Sequence, residues 1–137
     1  MFNFLKKKPA PSVVASVPSG DGFLSEMKEK AQEELPYLIG FIEENGAQED
    51  LFRYAVKANF IENGHSEHMW VQIFDFKNGS FHGKLANKPN TVKQLKYGDD
   101  VVVKPDDVED WILEDFLTCT KVGGFSSKYI REKSEQQ

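Results

Sequence analysis

His65, Glu67 and His68 place three metal-ligand residue types within four positions, the nearest this chain comes to a local chemical site. A catalytic zinc centre draws on three protein ligands and keeps one position open, and histidines spaced on a helix are its usual source. Here the three fall at a turn and a strand start. Side chains alternate in a strand, so His68 points away from Glu67. The third histidine, His82, is held off by chain geometry. A two-residue turn at Asn78-Gly79 pairs Asp75 with His82. That leaves His68 seven residues, roughly 20–25 Å of strand, from the partner of His82. His65, Glu67 and His68 therefore stand as a candidate metal set that His82 does not complete, and no cofactor is implied.

Nucleophilic chemistry has one candidate, Cys119. A thiol needs a nearby base, and a spatial neighbour need not be a sequence neighbour. No local cysteine or serine motif surrounds it, so an inert thiol, buried or near a loop, is expected. The densest polar feature is acidic. Between 99 and 115 lie Asp99, Asp100, Asp106, Asp107, Glu109, Asp110, Glu114 and Asp115, against Lys104 alone. The spacing does not follow a calcium-binding EF-hand loop. Such a run is either a solvated face or a docking surface for a basic partner. Asp106, Asp107, Glu109, Asp110 and Trp111 are the candidate partner-binding residues. An exposed tryptophan among carboxylates makes a binding hot spot. An inward Asp110 instead needs backbone amide donors.

These residues must be positioned by elements that periodicity outlines. Leu24, Met27, Ala31, Leu35, Leu38 and Ile42 are spaced 3, 4, 4, 3 and 4, one apolar helical stripe over Asp21–Asn45. Asp21 or Ser25 can cap its start, and Gly46 follows its end. Pro36 removes an amide donor inside it, which predicts a kink or two short helices. Residues 52–60 alternate with period two, and a second strand follows from about Glu67 to Phe76. Both faces of that second strand are largely apolar, which places it centrally with Trp70 in the core. Phe81–Ala86 forms a third strand, and Val101–Val103 another. Val92–Leu95 suits a short helical turn, and Trp111–Leu113 suits a strand or short helix. The fold class is α+β: an N-terminal helix or kinked helix pair packed on a curved antiparallel sheet of about five strands.

The domain plan is a flexible tail and linker over 1–20, one α+β domain over 21–131, and a frayed end over 132–137. Phe2, Phe4 and Leu5 before Lys6-Lys7-Lys8 could give weak membrane-surface contact. The chain has 137 residues, is 39% hydrophobic and 28% charged, and has one cysteine. That is an ordinary globular composition in which an internal disulfide is impossible. No apolar run reaches the roughly 18 residues of a membrane helix. No secretory signal pattern opens the chain. The cytoplasm is the expected compartment. Net charge is −5, but residues 21–120 hold ten basic and twenty acidic groups, a net −10. A body so acidic repels a phosphate backbone, which argues against nucleic acid and favours a basic protein partner.

An ordered series of motifs resembles a known family. It comprises Glu67-His68-Met69-Trp70-Val71, then Phe81-His82-Gly83-Lys84-Leu85-Ala86-Asn87-Lys88-Pro89, then Leu95-Lys96-Tyr97-Gly98-Asp99. Asp107-Val108-Glu109-Asp110-Trp111 and Gly123-Gly124 complete it. The series is similar to the bacterial domain of unknown function 2314 and covers roughly residues 30–131. The resemblance implies a small bacterial protein, or a module beside other domains, some resembling immunity proteins of toxin systems. It brings no catalytic residues. The expected function is a non-enzymatic protein-binding module. The alternatives are an immunity-type antidote to a basic toxin, and an enzyme or metal protein using Glu67 and His68.

Overall fold

A computed structural model describes residues 22–126 of the chain. The tail and linker expected over 1–20, its membrane-surface contact, Asp21 and the fray over 132–137 lie outside them. The fold is α+β. Among the described residues, one long helix, α1 (Gly22–Asn45), precedes six strands: β1 (Phe52–Glu62), β2 (His65–Lys77), β3 (Ser80–Leu85), β4 (Asp100–Val103), β5 (Asp110–Asp115) and β6 (Thr120–Gly123). A 3-10 turn, Pro105–Asp107, joins β4 to β5. The sheet is open and antiparallel, in the order β4-β3-β2-β1-β5-β6. Among the described residues, no helix is long and apolar enough to cross a membrane.

From Met27 onward the apolar helical stripe is the buried face of α1. Ala31, Leu35, Leu38 and Ile42 join a core with Val56, Phe60, Val71 and Trp111, and Met27 is buried as well. The helix runs through Pro36 as one element, without the expected break. Pro36 is exposed, so the carbonyl that loses its amide partner one turn earlier lies toward water, where the loss costs least. Ser25 lies within this helix and not ahead of it. Packing, not propensity, holds α1: it lies against β5, β2 and the 3-10 turn.

The β1–β2 and β2–β3 hairpins follow from Asn-Gly turns. Asn63 and Gly64, then Asn78 and Gly79, take positive φ, between 51° and 81°, as a type I′ turn requires. The second turn pairs Asp75 with His82, as its length dictates. The register shifts between Ile73 and Asp75. This bulge places Phe74 and Asp75 on one side and lets Phe76 meet Phe81 on the core face, ring centroids 4.9 Å apart.

Three details depart from the sequence reading. The sheet has a sixth strand, β6, a four-residue edge too short to show period two. Val92–Leu95 forms no helical turn. Its amides go to side-chain carboxylates, described below. Trp70 sits in the central strand β2 but half-buried on the outer face, the one away from α1, with Lys57 Nζ 5.9 Å from its ring centroid.

Candidate functional site

The two Trp-centred motifs meet in space. Asn59 of β1 pairs with His68 of β2, and Lys57 pairs with both Trp70 and Asp110. The Glu109 amide donates to the Lys57 carbonyl at 2.8 Å. This holds the Glu109 side chain beside His68, and His68 Nδ1 lies 2.7 Å from Glu109 Oε1. A carboxylate against one imidazole nitrogen fixes the ring and leaves Nε2 outside that bond, the orientation a general base uses. The chain brings no thiol to it. Cys119 is exposed at φ 59° in the β5–β6 turn, with Sγ 3.9 Å from the Phe116 carbonyl.

Glu67 is turned the other way. It pairs with Phe60 and so shares the core side. Its Oε2 accepts from the Asn90 amide at 2.8 Å, and its Oε1 from Thr91 and Val92 at 2.8 and 3.0 Å. Glu62, two residues beyond Phe60, accepts from the amides of Lys93 and Gln94 at 2.6 and 2.9 Å. Two carboxylates thus hold five successive amides of the β3–β4 loop. The loop seats Val92 and Leu95, 2% and 7% exposed, over the end of the core. Desolvation raises the Glu67 pKa, but the three amides and the Lys93 charge outweigh it, so the carboxyl titrates below its ordinary value.

The metal set is therefore not assembled. Glu67 and His68 lie on opposite faces, Glu67 is committed to the loop, and His65 is exposed at the hairpin end. Among the described residues, no three His, Cys, Asp or Glu side chains gather as a metal site. His82 lies on the outer face opposite Asp75, its Nε2 buried without a hydrogen-bond partner among the described residues.

The acidic candidates divide. Asp110 is 1% and Trp111 0% exposed, so neither can form the contact surface expected of it. The reason for Asp110 is its four donors. Oδ1 accepts from the amides of Trp111 and Phe125, at 2.8 and 2.9 Å. Oδ2 accepts from the Ser126 amide at 3.1 Å and from its hydroxyl. Phe125 and Ser126 are helical, so Asp110 serves as a cap supplied from a distant strand. The Trp111 indole donates from Nε1 to the Ala31 carbonyl at 3.0 Å, which ties the helix to β5. Gly123 is glycine because a Cβ there would strike the Trp111 carbonyl and ring.

Asp106 is exposed, while Asp107 and Glu109 are half-buried. Gln32 of α1 donates from Nε2 to the carbonyls of Pro105 and Val108 at 2.8 and 2.7 Å. That clasp fixes the acidic turn against a helix whose exposed side carries Glu26, Glu29, Glu33 and Glu34. Tyr37 lies on the same helix, 54% exposed, stacked on Trp111 at 6.4 Å and 30°. Sequence reasoning missed Tyr37. Its signal was available: an aromatic off the apolar stripe, four residues after Glu33.

Residues 21–137 match the family described as "uncharacterized protein conserved in bacteria", domain of unknown function 2314. The chain belongs to this family. Two relatives match in part. The chain is 34% identical over 65 residues to uncharacterized protein YegJ of Escherichia coli K12, covering 47% of this chain and 42% of that protein. It is 28% identical over 88 residues to a putative ankyrin repeat protein of Neisseria meningitidis serogroup B, covering 60% of this chain and 33% of that protein. The match thus spans less than half the length of either relative. No solved structure matches. The family motifs now have physical roles: Glu67 holds a loop, His68 meets Glu109, Asp110 caps, and Trp111 ties helix to sheet.

Proposed function

We propose that this protein is a non-enzymatic protein-binding module that receives a basic partner on the surface formed by α1 and the Pro105–Asp107 turn. The observation that carries this reading is Tyr37, more than half exposed yet stacked on the buried Trp111. An aromatic already held in place loses little side-chain freedom on binding, the usual property of an interface anchor. Glu29 and Glu33 precede it at four-residue spacing and so lie in one row with it along the helix. Asp106 and Asp107, clasped to the same helix by Gln32, extend the negative field. The net −10 of residues 21–120 draws a basic partner and speeds its approach. The Neisseria relative is named as a putative ankyrin repeat protein, and ankyrin repeats present extended binding surfaces. That setting suits a module that binds. Trp111 supports this surface from within. An immunity-type antidote to a basic toxin is the narrower form of the same reading, with the cytoplasm as its place of action.

The test compares the full chain with two surface variants, Glu29→Lys/Glu33→Lys/Asp106→Lys and Tyr37→Ala, as bait in lysate of the source bacterium at low and high salt. A basic partner held at low salt by the native chain, and lost with either variant, is the expected result. No retained protein, or one held equally by the charge-reversed chain, refutes the reading.

A further inference from the structure

β4 ends one side of the sheet, and among the described residues no strand lies beyond it. Its backbone groups divide by parity. The Leu85 amide donates to the Asp99 carbonyl and the Gly98 amide to the Leu85 carbonyl, each at 2.8 Å. Hydrogen-bonded positions alternate along an antiparallel pair, so Gly83 and Phe81 next exchange bonds with Val101 and Val103. The amides and carbonyls of Asp100, Val102 and Lys104 are thereby turned away from β3. Lys104 lies one residue past β4, yet its backbone is still extended, at φ −78° and ψ 147°. Such a row of outward groups is a template for another strand. The inward side chains, Val101 and Val103, are 1% and 0% exposed, so no inward charge blunts this edge.

The charges along the edge name the strand that fits it. A second copy of β4, laid antiparallel, must be centred on a residue whose backbone groups point outward. Asp100, Val102 and Lys104 are the three choices. Centred on Asp100 or on Lys104, the pairing sets that charge against itself, and like charges directly opposite are destabilising. Centred on Val102, it sets Asp100 of each copy opposite Lys104 of the other. Both side chains are exposed and share the outer face with Val102. Asp100 also meets Lys84 Nζ at 2.7 Å on its β3 side, so in this register each Asp100 lies between two lysines. Val101 of one copy falls beside Val103 of the other, and the two cores continue across the joint.

We propose that two copies of this chain pair through β4 about a twofold axis at Val102, which joins their sheets into one. The contact is the same patch on both copies, so it closes at a dimer. The proposal does not rest on the Tyr37 surface. Tyr37→Ala is expected to leave the dimer intact, and its loss with that variant would move the contact to α1 and overturn the proposal.

The experiment is sedimentation equilibrium of the full chain at rising concentration. The average mass is expected to climb toward twice that of one chain; a mass that stays at one chain overturns the proposal. Val102→Pro removes an outward amide and leaves the bonds to β3 in place, so it should abolish the climb. Lys104→Asp sets carboxylates opposite each other, and Asp100→Lys sets ammonium groups opposite each other. Each variant alone should remain a single chain. An equal mixture of the two should regain the twofold mass, because every charge then faces its opposite. A dimer that survives Val102→Pro, or a mixture that stays at the mass of one chain, overturns the proposal. Far-UV circular dichroism confirms that each variant is folded. Should Val102→Pro fail to fold, the mixture decides alone, since misfolded chains would not recover association by mixing.

Discussion

Replacing Asp110 separates an internal fastener from a surface contact. Asp110→Ala removes an acceptor of four hydrogen bonds from a site 1% exposed. Each buried donor left without a partner costs about 1–3 kcal/mol. The Ser126 amide is in a buried bond, whereas the half-buried Phe125 amide regains water more cheaply. The sum comes to about 3 kcal/mol, near 12 °C in Tm for a domain of this size. Asp110→Asn keeps one oxygen for two of the amides but turns an NH2 toward a third, which predicts a loss of about 2 kcal/mol. Ser126→Ala removes only the hydroxyl bond, worth about 1 kcal/mol. Asp106→Ala, at an exposed position, should stay within about 0.5 kcal/mol. Urea unfolding followed by circular dichroism measures all four, with the slope m constant so that midpoints report stability. The ranking Asp110→Ala, Asp110→Asn, Ser126→Ala, Asp106→Ala is the expected result. If Asp110→Ala falls within about 0.5 kcal/mol of Asp106→Ala, the capping role is wrong and the acid is a surface group.

Other outcomes follow from the same geometry. The lowered Glu67 pKa stabilises the fold above the ordinary carboxyl value, and that contribution is lost as pH falls through the lowered one. Glu67→Gln should therefore reduce stability at pH 7 and flatten its fall as pH drops below the ordinary carboxyl value; an unchanged slope counts against the loop-holding role. At Gly83 a Cβ would collide with the backbone of Gln72 and Ile73. Gly83→Ala should cost about 3 kcal/mol or more in urea unfolding, and a loss under 1 kcal/mol would contradict the close approach of β2 and β3. Trp111→Phe keeps a ring in the core but loses the bond to the Ala31 carbonyl, for about 1–2 kcal/mol. Tyr37→Ala should barely move the urea midpoint while abolishing partner capture; loss of both together would make Tyr37 structural.

The helix stripe from Met27 to Ile42 was legible because each residue answers to the next by helical period, and no distant contact is needed to read it. The Asn78-Gly79 turn was equally local, and its two-residue length alone sets Asp75 opposite His82. β6 was not legible: it is a four-residue edge whose partner, β5, supplies the reason for it to be extended. The β3–β4 loop misled for a related cause. Its local pattern at Val92–Leu95 suits a helical turn, but carboxylates from the β1–β2 hairpin take the amides first.

Glu109, Asp110 and Trp111 are adjacent in sequence and divide among three surroundings: an imidazole from β2, a helix start past β6, and a carbonyl in α1. Sequence alone determined that these residues are acidic and aromatic, that they follow a turn, and that an inward Asp110 would need amide donors. Only the tertiary structure decided which of them face inward, because burial depends on strand pairing with Lys57 and Val56, remote in the chain. It also decided that Tyr37, stacked on Trp111, and not Trp111 itself, is offered to solvent there. The physical reason is one of distance along the chain: period and turn chemistry act over a few residues, while the partner that satisfies a buried carboxylate or indole can come from anywhere the fold brings near.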